Sequence, residues 1–77
     1  MEANFIIRKP STTSGSLVYS PEGQPVLEEG DEIVTLEVDV IPPIGAAVFV
    51  PIADGLHSGV VQQVVQNLAL GKVFIEV

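Results

Sequence analysis

Asp54, His57 and Ser58 put an acid, the chain's only imidazole and a hydroxyl side by side, the residue types of an acid–base–nucleophile triad. Such a triad works when its members converge from positions set by the fold, whereas neighbours such as His57 and Ser58 leave a shared backbone in different directions. The spacing predicts a loop histidine that hydrogen-bonds locally. Glu28, Glu29, Asp31 and Glu32 gather four carboxylates around Gly30, and a hard cation needs several oxygen ligands of that kind. The alternating ligands and distant closing glutamate of an EF-hand loop are missing, so a solvated acidic turn is expected rather than a metal site. Ser11 to Ser16 offers hydroxyl donors without the glycine and lysine spacing that cradles phosphate. Glu37 and Asp39, two apart, share one strand face, which is also how a wetted sheet face reads. No catalytic, cofactor-binding or metal-binding residue is assigned, and the expectation is a protein that is not an enzyme.

The distribution of charge says more than any motif. Ten acidic residues face three basic ones, a net charge of −7, and the basic ones are Arg8, Lys9 and Lys72. Seven of the ten acids fall between Glu22 and Asp39. Glu28, Glu29, Asp31, Glu32, Glu37 and Asp39 should therefore form one negative patch, either a solvating face or a surface that docks on a basic site of another protein as a nucleic-acid mimic. The same charge repels phosphate backbones and anionic lipid, so neither direct nucleic-acid binding nor membrane binding is expected. No cysteine is present, which removes disulfides and thiolate chemistry.

With 77 residues, the elements that carry these groups fit one small domain spanning 1–77. Asn4 to Lys9 is aromatic and β-branched and stops at Pro10, reading as a strand. Leu17-Val18-Tyr19 reads as a short strand before Ser20-Pro21-Glu22-Gly23, whose proline and glycine suit a turn, with Gln24 to Leu27 returning as its hairpin partner. Ile33 to Ile41 alternates with period two. Val34, Leu36, Val38 and Val40 lie on one side, and Thr35, Glu37 and Asp39 on the other. Ala46 to Val50 is a compact apolar strand closed by Pro51 and the loop Ala53-Asp54-Gly55, and Lys72 to Val77 alternates as a strand.

Ser58 to Leu70 carries two signals. Val60, Val61, Val64, Val65 and Leu68 fall within one arc at helical spacing, which predicts a helix near 59–69. Four of those five are valines and no charged side chain supports a solvated helical face, which predicts a bulged strand from Gly59 to Gln66 instead. The chain as a whole reads as mainly β, a small antiparallel barrel or sandwich of five to six short strands. Pro43-Ile44-Gly45 leading into Val48-Phe49-Val50, then Gly59-Val60-Val61 leading into Val64-Val65, resembles the strand pattern of small SH3-like barrels over about the second half of the chain. That resemblance implies a fold and no ligand, because the architecture hosts many unrelated functions.

Only 17% of the residues are charged, below the usual ~25%, although so small a body needs more polar cover than average. Apolar residues should therefore remain exposed on the single subunit. The sequence reading is a self-associating or partner-docking assembly module, with Phe49, Phe74 and Ile75 as apolar contacts and 72–77 as an edge strand open to pairing. Small virion and mobile-element components share this character. An acidic inhibitor or decoy is the competing reading, and a small-ligand binder at a subunit interface is a third. Met1-Glu2-Ala3-Asn4 lacks a basic leader and no stretch is long enough to span a bilayer, so a soluble protein without signal peptide, cytoplasmic or virion-associated, is expected.

Overall fold

The structure, a computed structural model, describes residues 1–8 and 17–77. The expected loop Ser11 to Ser16, with Lys9 and Pro10, lies outside the described residues. The fold is mainly β, and no helix occurs among the described residues. In chain order the strands are β1 (Glu2–Ile7), β2 (Val18–Tyr19), β3 (Pro25–Val26), β4 (Glu32–Glu37), β5 (Ala47–Ile52), β6 (Gly55–Val60), β7 (Gln63–Asn67) and β8 (Lys72–Glu76).

Four of these build the central sheet in the order β4-β1-β8-β7. β1 runs antiparallel to β4, from Glu2 opposite Glu37 to Ile7 opposite Glu32, and β7 runs antiparallel to β8. β1 and β8 pair parallel, which departs from the all-antiparallel arrangement expected from the sequence. The two remaining sheets are hairpins, β2–β3 and β5–β6.

The hairpins cover opposite faces of the central sheet. Side chains alternate along β1, so Ala3, Phe5 and Ile7 leave one face and Ile6 the other. The first face joins Ile75 and is packed by Val48, Val50 and Ile52 of β5 together with Val61. On the second, Ile6 and Phe74 meet Leu17, Tyr19 and Val65, with the Tyr19 and Phe74 rings edge to face at 6.1 Å between centroids. Both faces of β1 and β8 are thus dry, and their apolar side chains point both ways for that reason. Ile6 and Ile75 are fully buried, a burial that contributes roughly 1.5–3 kcal/mol each.

Two glycines set how closely the layers approach. Gly59 stands on the inward side of β6, where a Cβ would collide with Val77 Cγ1, so only a glycine lets the hairpin lie this close to the end of β8. Gly23 has φ of +82°, and a Cβ there would overlap the Asn67 side-chain amide, which donates to the Glu22 carbonyl (3.0 Å) and the Gly23 carbonyl (3.3 Å). The turn Ser20–Gly23 closes with Gly23 N–H on Ser20 O at 2.8 Å and returns into β3, the hairpin expected from its proline and glycine.

The helix predicted near 59–69 is replaced by strands. β6 and β7 cover most of that span, and the chain bends between them at Val61 and Gln62. Gln62 N–H donates to Glu76 O (2.8 Å) while Gln63 also stands opposite Glu76, so two residues answer to one and the strand is bulged. Valine stiffness and the partner strands β5 and β8 outweigh the helical spacing. β4 ends at Glu37 rather than near Ile41. Val34, Leu36 and Val38 pack inward as their alternation implies, whereas Val40, expected on the same face, is past the ladder and 76% exposed. β5 continues through Pro51 to Ile52, because the proline faces outward on an edge where it need not donate.

Candidate functional site

The outer side of the β5–β6 hairpin is one of several places where apolar surface remains uncovered, others being Val18, Val26, Val40, Ile44 and Leu68. The register places Ala47 opposite Val60, Phe49 opposite Ser58 and Pro51 opposite Leu56, and all six lie on the side turned away from the core. Phe49 is 72% exposed and Leu56 68%. Val48, Val50 and Ile52 occupy the inward positions, so this hairpin is apolar on both sides while only one is packed. From Val40 to Gly71 the only charged residue is Asp54, which leaves the whole region without a polar screen.

Phe49 is where the sequence placed it. Phe74 and Ile75, named with it as contacts, are core residues at 3% and 0% exposure. Strand 72–77 is not an edge either, since β8 lies between β1 and β7. Apolar side chains leave both sides of this strand, and the two sides are covered by different layers, Phe74 by Leu17 and Tyr19 and Ile75 by Val50 and Val61. The exposed apolar side chains on this face that sequence reasoning missed are Leu56 and Val60. Their signal was the outward register against Phe49, which becomes visible only once the two-residue turn Ala53–Asp54 is fixed.

The acidic residues divide. Glu28, Glu29, Glu32, Glu37 and Asp39 are exposed. Asp31 is not part of the surface patch. Its side chain is wholly buried, accepts from the Glu28 N–H (3.0 Å) and lies 3.2 Å from Arg8 Nε, an ion pair whose alignment falls short of a hydrogen bond. It holds the turn at Gly30 (φ +94°) against the end of β1. Glu2 stands directly opposite Glu37 across the β1–β4 ladder, and the Met1 ammonium, 3.5 Å from Glu37 Oε1, offsets the repulsion of this like-charge pair. Among the described residues no group of three or more His, Cys, Asp or Glu is placed to hold a metal ion.

His57 is a mid-strand residue of β6 opposite Val50, not a loop residue, and is half-buried on the inward side near Gly59. Ser58 points to the opposite, outward side and Asp54 sits in the turn, so the three do not converge. Glu76 is a buried carboxylate of β8, and the Tyr19 hydroxyl donates to its Oε2 at 3.5 Å. Burial, then the neighbouring Glu76 charge and that hydrogen bond, push the Tyr19 phenol up to about 12. Asn4 crosses the sheet with polar contacts, donating to Val73 O (3.1 Å) and accepting from Thr35 Oγ1 (2.7 Å).

Compared with known proteins, the chain matches no protein family, no curated sequence and no solved structure. Among the described residues no helix is long and apolar enough to cross a membrane.

Proposed function

We propose that this chain is a non-enzymatic assembly module that associates with further copies of itself. One observation carries the reading: the outward side of the β5–β6 hairpin presents Phe49, Leu56 and Val60 in a region, Val40 to Gly71, whose one charged residue is Asp54, on a strongly acidic protein. Apolar surface of this kind gains roughly 25 cal/mol per Å² when water is removed from it. Two copies, each carrying a net charge of −7, approach most easily where acids are fewest, and this region carries only Asp54, at the tip of its turn. Phe49→Glu combined with Leu56→Glu tests it. The double variant keeps the β spectrum, because both side chains already face water, and lowers the association constant at least tenfold in sedimentation equilibrium. Unchanged association would remove this hairpin face from the assembly.

A second reading is an acidic decoy for a basic protein surface, and the exposed run Glu28, Glu29, Glu32, Glu37 and Asp39 favours it. Salt separates the two. A decoy complex weakens steeply between low and moderate ionic strength, whereas apolar self-association changes little.

A further inference from the structure

We infer that β7 is the strand through which two copies join, pairing antiparallel with its own counterpart so that two central sheets become one. The inference rests on the self-association reading and names its backbone contact. β7 is an edge: β8 pairs with one side of it, and no backbone group of Gln63–Asn67 has a partner on the other side among the described residues. An open edge is a row of unmet donors and acceptors, and protein sheets usually guard it with charge, proline or a cover. β7 has none of the first two. Its sequence Gln63-Val64-Val65-Gln66-Asn67 contains no charge, proline or glycine, and neither do the residues from Val60 to Leu70 around it. The other edge of the same sheet, β4, begins at Glu32 and ends at Glu37.

A second copy fits this edge better than a charged peptide would. Centred on Val65, an antiparallel twofold pair sets Val65 against Val65, Val64 against Gln66 and Gln63 against Asn67 of the other copy. Every contact is then valine or amide, and no charge is brought to the pair. The acidic edges end up far apart. With the order β4-β1-β8-β7 doubled, the two β4 strands lie seven strand spacings apart, about 34 Å at ~4.8 Å per spacing. That exceeds the ~8 Å screening length of physiological salt several times over, so the charge that opposes contact elsewhere is screened here. Pairing through β4 would instead set Glu32 and Glu37 against their copies.

The chain contains no cysteine, so Val65→Cys introduces one thiol at the proposed twofold. Directly opposed residues in an antiparallel pair have Cα atoms roughly 4.5–5.5 Å apart, within disulfide range. Mild oxidation of Val65→Cys should give a covalent dimer in high yield. A second variant, Gln66→Lys, adds a guarding charge at an exposed position of the strand and should lower the association constant at least tenfold while the thermal melt of the monomer is kept. Amides of 63–67 in the unmodified chain should exchange with deuterium faster on dilution. If the unmodified chain associates but Val65→Cys does not cross-link and Gln66→Lys associates as before, the β7 pairing is overturned and self-association stands. If the unmodified chain is a monomer at every concentration, both fall.

Discussion

β4 and β7 are the two edges of one sheet, built of five or six residues each and separated by the same two central strands, yet they meet water in opposite ways. β4 follows the exposed Glu28 and Glu29, begins at Glu32 and ends at Glu37, and it tolerates Glu2 directly opposite Glu37. β7 displays valines and amides alone. The difference teaches that the acidic run has a structural reading without any ligand. Acids on β4 close one edge to pairing, and their absence from β7 leaves the other open. The apolar outer side of β5–β6 belongs to the same stretch, Val40 to Gly71, in which Asp54 is the one charged residue, so charge opposes contact least there.

That comparison requires a common interior that neither edge can replace, and Phe74→Glu probes it most severely. Phe74 lies on central β8 against Ile6 and Leu17, and an unpaired buried carboxylate with lost packing costs about 3–5 kcal/mol, most of the stability of a domain this size. Loss of the β signal in far-UV circular dichroism at room temperature is expected. A folded monomer would mean that Phe74 faces a partner instead of the core.

Gly59→Val comes next and asks whether the hairpin must sit at its observed height above β8. The added side chain meets Val77, and overpacking of this kind costs about 1–3 kcal/mol. A thermal midpoint several degrees lower is expected, and an unchanged one would show the hairpin free to lift.

Much of this was legible in the sequence where alternation met water on one side only. Val34, Leu36 and Val38 against Thr35 and Glu37 gave β4 its faces correctly, and the proline and glycine of Ser20–Gly23 gave the β2–β3 turn. Where both sides of a strand are dry, period-two reasoning cannot tell which layer covers which side, so Phe74 and Ile75 were read as surface. The segment 58–70 failed for another reason. Val60, Val61, Val64 and Val65 fit a helical arc, but the pairs of valines arise from a strand that changes partner at Val61 and Gln62, which reverses its inward side at the bulge. Phe49 was legible as an apolar side chain left uncovered; Leu56 and Val60 needed the register.

Making β4 resemble β7 breaks the comparison by design. Glu32→Gln with Glu37→Gln removes the guarding charges and the Glu2–Glu37 opposition, changing stability by no more than about 0.5 kcal/mol per site as surface substitutions do. With two open edges, species larger than a dimer should appear in velocity sedimentation. A distribution identical to that of the unmodified chain would deny the acids their guarding role.

The smallest effect concerns the β2–β3 cover. The Tyr19 phenol ionises near 10.0 in the unfolded chain and near 12 in the folded one, so the unfolded state loses its proton first as pH rises. The stability that this shift reflects is fully present below pH 10 and declines between 10 and 12. Tyr19→Phe should flatten that part of the stability–pH curve, and a curve of the same slope would assign the decline to other groups.

Sedimentation equilibrium of the unmodified chain, from low to high micromolar concentration in moderate and in high salt, tests the central claim most directly. An average mass rising from 8.1 kDa toward twice that value, with little dependence on salt, is the result expected of an uncharged contact between two copies. A mass of 8.1 kDa at every concentration and salt would contradict it.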